Sequence, residues 1–154
     1  MNNYQANCPA HMKPWTFERE FNFSGEKIEK VWEVLQRRET FIKGQIFPYN
    51  VEFDAPSQSG SFLSGELNVH HGPLLSVHGA IGEVTDSYRS LNYFYGSYVL
   101  SFRLVRPTQL EFIREGDIIR MRLSAYIAPW FLPIWKLGNR AFWTFFGINF
   151  YNKL

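Results

Sequence analysis

The sequence predicts an α+β fold: a curved antiparallel sheet of about seven strands wrapped around a long C-terminal helix, with two short helices after the first strand. Two observations carry this. Apolar and polar residues alternate with period two through the middle of the chain, in runs separated by turn-forming residues. Helical spacing, by contrast, is confined to a stretch after Ser24 and to the residues after Pro129. Strands segregated from helices in this way point to α+β rather than to a doubly wound sheet. At 154 residues the chain is one domain's worth, large enough to bury a core without disulfides or a structural metal.

Residues 1–14 read as a flexible N-terminal tail, and residues 15–154 as one domain. Met1 and Met12 both qualify as initiators. From Trp15 to Phe23, the residues Trp15, Phe17, Phe21 and Phe23 alternate with Thr16, Glu18, Glu20 and Asn22, which describes a strand with one buried face. Ser24 and Glu26 then offer a helix start, and Ile28, Val31, Trp32 and Leu35 follow at helical spacing. A second short helix covers about Arg38 to Lys43. Strands follow at Tyr49–Phe53, Phe62–His70 and Leu75–Ile81, then through Leu91, Tyr93 and Tyr95. A further strand covers Tyr98–Arg106, resumes at Gln109–Arg114, and turns at Glu115-Gly116-Asp117. Pro107 lacks a ladder donor and so marks an edge or a bulge. The last strand sets Ile119, Met121, Leu123 and Ala125 on one face.

Past Pro129, the residues Trp130, Ile134, Leu137, Ala141, Phe145 and Ile148 step by three or four, and this stripe is expected to face the sheet. Pro133 is tolerable in the first turn. Phe131, Trp135, Phe142, Phe146 and Phe150 lie beside the stripe, leaving a narrow polar arc of Lys136, Asn139, Arg140 and Thr144. So apolar a helix must bury a second side against a ligand, a partner chain or a bilayer.

Composition narrows the function. A net charge of +2 is too small for nucleic-acid binding, and the single Cys8 excludes a disulfide framework or a Cys-rich metal site. The N-terminus lacks a signal peptide's basic and apolar regions, and Lys136, Asn139, Arg140 and Asn149 interrupt the aromatic C-terminal stretch, so a cytoplasmic protein is expected. Fifteen Phe, eight Tyr and five Trp exceed what a small core ordinarily uses and suggest a lined cavity or a sticky outer face.

The order of elements resembles the START-like, helix-grip superfamily (SRPBCC, including polyketide cyclase/dehydrase-like proteins) over about residues 15–153. Local echoes are Phe21-Asn22-Phe23-Ser24 leading into Val31-Trp32-Glu33-Val34-Leu35, and a terminal helix after a strand and Pro129. Tyr95-Gly96-Ser97 and the segment Ala125–Pro129 are similar to a less-studied branch. The resemblance implies a deep cavity between sheet and terminal helix that takes a hydrophobic or amphipathic ligand such as a lipid or a polyketide-like molecule. The alternation assigns Tyr93, Tyr95, Met121 and Leu123 to its lining, with Trp130, Ile134, Leu137 and Phe145 from the helix. A core in which these residues simply fill each other is the competing reading.

Other chemistry is weakly signalled. His70 and His71 point to opposite faces of a strand and His78 lies apart, so loop and surface histidines are expected, with no metal. No Gly-x-Ser-x-Gly elbow, phosphate loop or dinucleotide fingerprint is present, and no cofactor is implied. For proton transfer, Leu67 with Val69, and Leu75 with Val77, claim the inward face in their strands, turning Glu66 and His78 outward. Glu83 shares parity with Ile81 and Tyr95 with Tyr93, which makes these two the candidate catalytic groups. Arg103, Arg106, Arg114, Arg120 and Arg122 form either a basic outer face or, as favoured, pairs with Glu111 and Glu115. Three functions remain: a carrier of a hydrophobic molecule (favoured), a cyclase or dehydratase working in the same cavity, or a domain contacting a membrane surface or a second copy through its last helix. An inward carboxylate or histidine beside a cavity tyrosine would mark the enzyme.

Overall fold

In chain order the elements are β1 (Lys13–Asn22), α1 (Glu26–Leu35), α2 (Glu39–Lys43), β2 (Asn50–Phe53), β3 (Leu67–Gly72), β4 (Leu75–Val84), β5 (Tyr88–Tyr98), β6 (Val105–Glu115) and β7 (Ile118–Ile127). A 3-10 turn at Pro129–Phe131 leads into α3 (Leu132–Asn152). The structure is a computed structural model describing residues 7–43, 47–54, 58–72, 75–98 and 104–152, with the side chains of residues 42, 75, 95–98, 151 and 152 excepted. The strands form one curved antiparallel sheet in the order β1-β7-β6-β5-β4-β3-β2. This is the fold the sequence predicts, with strand boundaries adjusted. Met12 is already buried and β1 begins at Lys13. The strand expected from Phe62 starts only at Leu67, and β5 runs on to Tyr98.

Ile28, Val31, Trp32 and Leu35 of α1 are buried as their spacing requires, with Val34 beside them. Gly25, not Ser24, occupies the N-cap, at a φ of 63° that favours glycine, and no side chain caps the helix. Thr40 at the start of α2 is fully buried, and its hydroxyl donates at 2.6 Å to the Val34 carbonyl, which also accepts from the Arg37 N–H, tying α2 to the end of α1. On β7, Ile119, Met121 and Ala125 are buried on the inner face as expected. The pairing of β6 with β7 slips between Pro107 and Gln109, so Pro107 sits at a bulge.

The strand β3 turns opposite to expectation and the end of β4 departs from it, each for a reason of register. In β3, Asn68 lies opposite Gly79 and His70 opposite Val77, both on the buried face of β4. Directly opposed residues share a face, so Asn68 and His70 point inward and Leu67 is exposed. His78 accordingly pairs with Val69 rather than with Leu67. In β4, the pairing with β5 is irregular between Ile81 and Val84. That irregularity hands the inward position to Val84, which packs on the core, and leaves Glu83 exposed.

The terminal helix is rotated relative to expectation. Trp135, Trp143, Phe146 and Phe150 are buried, while Trp130 is 69 %, Ile134 57 %, Leu137 69 % and Phe145 58 % exposed. The stripe expected to face the sheet faces away from it. Close approach of α3 to β1 depends on Gly147, where a Cβ would lie 2.8 Å from the Phe21 ring. The last turns of α3 join the main core of α1, β5, β6 and β7, and Trp135 joins a smaller cluster with Val105, Ala125 and Ile127.

Outside, the arginines pair with carboxylates, the favoured of the two expectations. Arg120 bonds Glu115 and Glu20, Arg122 bonds Glu18 and lies near Glu111, and Arg114 forks onto Glu29 of α1. Arg103 lies outside the described residues. No helix among the described residues is long and apolar enough to cross a membrane.

Candidate functional site

Alternation along β5 places Arg89, Leu91 and Tyr93 on one face, and Arg89 and Leu91 are fully buried there. Three phenylalanines surround the Arg89 guanidinium: its central carbon lies 4.7 Å from the ring centre of Phe112 (β6), 4.9 Å from Phe62 and 5.6 Å from Phe41 (α2). None of its Nε, Nη1 or Nη2 atoms has a hydrogen-bond partner among the described residues. Burial costs an ion several kcal/mol, and each ring returns about 0.5–2 kcal/mol. The rings therefore soften the cost without neutralising the charge. Burial pulls the Arg89 pKa down to about 9, with Tyr93 pulling the other way, so the group is still protonated at neutral pH.

Beside this cage, β3 contributes two more polar groups. Asn68 is buried, and neither of its amide atoms has a partner among the described residues. His70 stacks edge-on against Phe41 at 5.3 Å and against Tyr93 at 5.5 Å, and its Nε2 is sealed from solvent without a partner. Burial, with Arg89 and His71 adding repulsion, drops its pKa to about 3, so it is neutral at physiological pH and does not compete with Arg89 for an anion. On α1, Trp32 presents another buried donor without an acceptor, its Nε1. Phe112 links the cage to the terminal helix through ring contacts with Trp143 at 6.0 Å and Phe146 at 6.5 Å. The cluster thus lies on the inner face of the sheet, between α2 and α3.

The buried carboxylate of Glu66 lies against another arginine. Glu66, expected to point outward, has a buried side chain, with Oε1 3.9 Å from Arg38 Nε and Oε2 accepting from the Leu63 N–H. His71 turns instead to Glu52, 3.4 Å away, and among the described residues no three metal-ligating side chains converge.

Of the residues the sequence singles out, Tyr93, Met121 and Leu123 face the interior and pack on or within the core. Tyr95 lies on β5 opposite His78, but its side chain is outside the described residues. Trp130, Ile134, Leu137 and Phe145 are on the outer surface, and Glu83 is exposed, so none of these five reaches the interior. Sequence reasoning missed Arg89, Asn68 and the phenylalanine cage. The parity of Arg89 with Leu91 and Tyr93 was a usable signal for the first. The rings come from separate elements, and no local pattern connects them.

No family model matches the chain, and no curated protein matches it. Solved structures do. Mll3558 from Rhizobium loti superposes with a TM-score of 0.61 at 12% identity, covering 88% of this chain and 94% of that one. The ginseng major latex-like protein 151 from Panax ginseng gives 0.60 at 6% identity over 88% and 94%. Norcoclaurine synthase from Thalictrum flavum, in complex with dopamine and hydroxybenzaldehyde, gives 0.55 at 12% identity over 89% and 86%. At such identities the likeness is one of fold: this chain has the helix-grip fold, as its resemblance to the START-like, SRPBCC superfamily implied.

Proposed function

We propose that the chain binds a small hydrophobic or amphipathic molecule between its sheet and its terminal helix. One observation carries this reading: a buried arginine, asparagine and histidine, all with unpartnered polar atoms, share an aromatic interior. Folded proteins pair nearly all such groups, and each one left unpaired costs about 1–3 kcal/mol. A bound molecule carrying acceptors offsets that cost, and the surrounding rings supply apolar area for its body. The norcoclaurine synthase structure offers support by analogy, since that protein holds two small aromatic molecules on a similar fold. Native mass spectrometry of gently purified protein, beside a denatured sample, tests the reading. A few hundred daltons of extra mass lost on denaturation is the expected result. Protein of bare mass that also takes up nothing from a panel of fatty acids, sterols and aromatic polyketides would refute it.

A second reading, an enzyme of the proton-transfer kind, is favoured by the His70–Tyr93 contact, the pairing that would mark a cyclase or dehydratase. A neutral histidine beside a phenol can relay a proton, although a pKa near 3 makes it a weak base. Incubating the recovered ligand with the wild type and with His70→Gln discriminates: conversion by the first and not the second supports the enzyme, and no conversion by either leaves the carrier.

The exposed apolar side of α3 supports a contact surface for a second copy or a membrane, separate from the interior site.

A further inference from the structure

We infer that the end of the ligand that enters the interior is a monoanion, a carboxylate, received by Arg89, with Asn68 on the same inner face of the sheet. This rests on the proposed ligand binding and names the chemistry that the site selects.

Donor balance points this way first. Arg89 offers the N–H groups of three nitrogens and Asn68 its amide N–H₂, all without acceptors among the described residues. Against these stand Asn68 Oδ1 and, depending on its tautomer, His70 Nε2. A neutral hydroxyl or amine would leave most of the donors unanswered, whereas a carboxylate brings two oxygens and about four acceptor positions.

Charge balance points the same way. Three hydrocarbon rings form the wall around the guanidinium, and the buried carboxylate of Glu66 lies against Arg38. Arg89 therefore contributes one positive charge that no described side chain pairs with. A monoanion closes that balance. A phosphate monoester, carrying close to two negative charges, would leave an excess buried negative charge. The guanidinium's planar fork also matches a carboxylate in the two-point geometry that makes such pairs strong.

The test uses the full chain with a neutral fluorescent probe, 1-aminoanthracene, displaced by two series of competitors. One is dodecanoic acid, its methyl ester and dodecyl phosphate; the other is 2-naphthoic acid and its methyl ester. In at least one series the acid should displace the probe at concentrations about ten- to a hundredfold lower than its ester, the range expected for hydrogen bonds to a charged partner. In Arg89→Met that preference should vanish while ester binding persists. Equal displacement by acid and ester in the wild type would overturn the inference and leave the binding reading standing; that comparison requires no variant to fold. An undiminished acid preference in Arg89→Met would also overturn it, by placing the anion elsewhere. Stronger displacement by dodecyl phosphate than by either acid would overturn the monoanion assignment. If neither the probe nor any competitor binds, both the inference and the binding reading fail.

Discussion

At the scale of single residues, Arg89→Met replaces a buried, unpaired charge with an apolar side chain of similar length inside a ring of phenylalanines. Where buried charges have been exchanged for apolar groups of similar volume, the outcome is often neutral or a gain of about 1–4 kcal/mol. Thermal unfolding of ligand-free Arg89→Met is expected to match or exceed the wild type. A loss of several kcal/mol would mean that the cage itself, rather than a ligand, is the reason for the arginine. His70 gives a second expectation. Its pKa is about 3 in the folded chain against an ordinary 6.5, so between those values the unfolded chain holds a proton that the folded one lacks. Stability therefore falls as the pH drops from 6.5 toward 3. Denaturant melts across that range should be flatter for His70→Gln than for the wild type, and identical slopes would remove His70 from the account. Both residues could be placed by strand parity once the register was known. Arg89 follows Leu91 and Tyr93 onto their face, but the parity of His70 depends on its pairing with Val77, which the sequence His71-Gly72-Pro73 does not fix.

At the scale of elements, the terminal helix is the instructive case. Its sequence carries two stripes at helical spacing, and the inner one, through Trp135, Asn139, Trp143, Phe146 and Phe150, contains an asparagine. Asn139 spends its polarity within the helix, donating to the Trp135 carbonyl at 2.9 Å and accepting from Trp143 Nε1 at 3.2 Å. Read from sequence, a polar residue in mid-stripe makes the outer, wholly apolar stripe the natural choice for the core side. Lys136 misleads likewise, because its ammonium lies 5.0 Å from the centre of the Trp15 ring. The phase is testable by truncation. Trp143→Ala should cost about 3–5 kcal/mol, as buried aromatics do, whereas Leu137→Ala should change stability by about 0.5 kcal/mol or less. The reverse ranking would turn the helix over and return Leu137 to the sheet. The succession of strands and the two short helices, in contrast, were legible, because period-two alternation, helical spacing and the Glu115-Gly116-Asp117 turn depend only on neighbours in sequence.

At the scale of the whole molecule, α3 carries apolar regions on opposite sides. The inner one packs against the sheet and meets the polar cluster through Phe112. The outer one exposes Trp130, Ile134, Leu137, Phe145 and Ile148, and α3 carries Lys136 and Arg140 but no acidic residue. Apolar patches of this kind mark contact sites. Sedimentation equilibrium is expected to show a concentration-dependent mass that Leu137→Glu with Phe145→Glu abolishes, without loss of probe displacement by ligand. A monomer at every concentration that nevertheless floats with anionic vesicles would assign the face to a membrane instead. Neither result bears on the interior site, because Arg89 and its rings lie on the other side of the helix.

The most direct measurement is an NMR titration of ¹⁵N-labelled protein with the molecule recovered by native mass spectrometry or, in its place, 1-aminoanthracene. The account expects the largest shift changes at the amides of Arg89, Leu91 and Phe112 and at the indole N–H of Trp143. Changes confined to Trp130, Leu137 and Phe145, or none at all, would contradict an interior binding site.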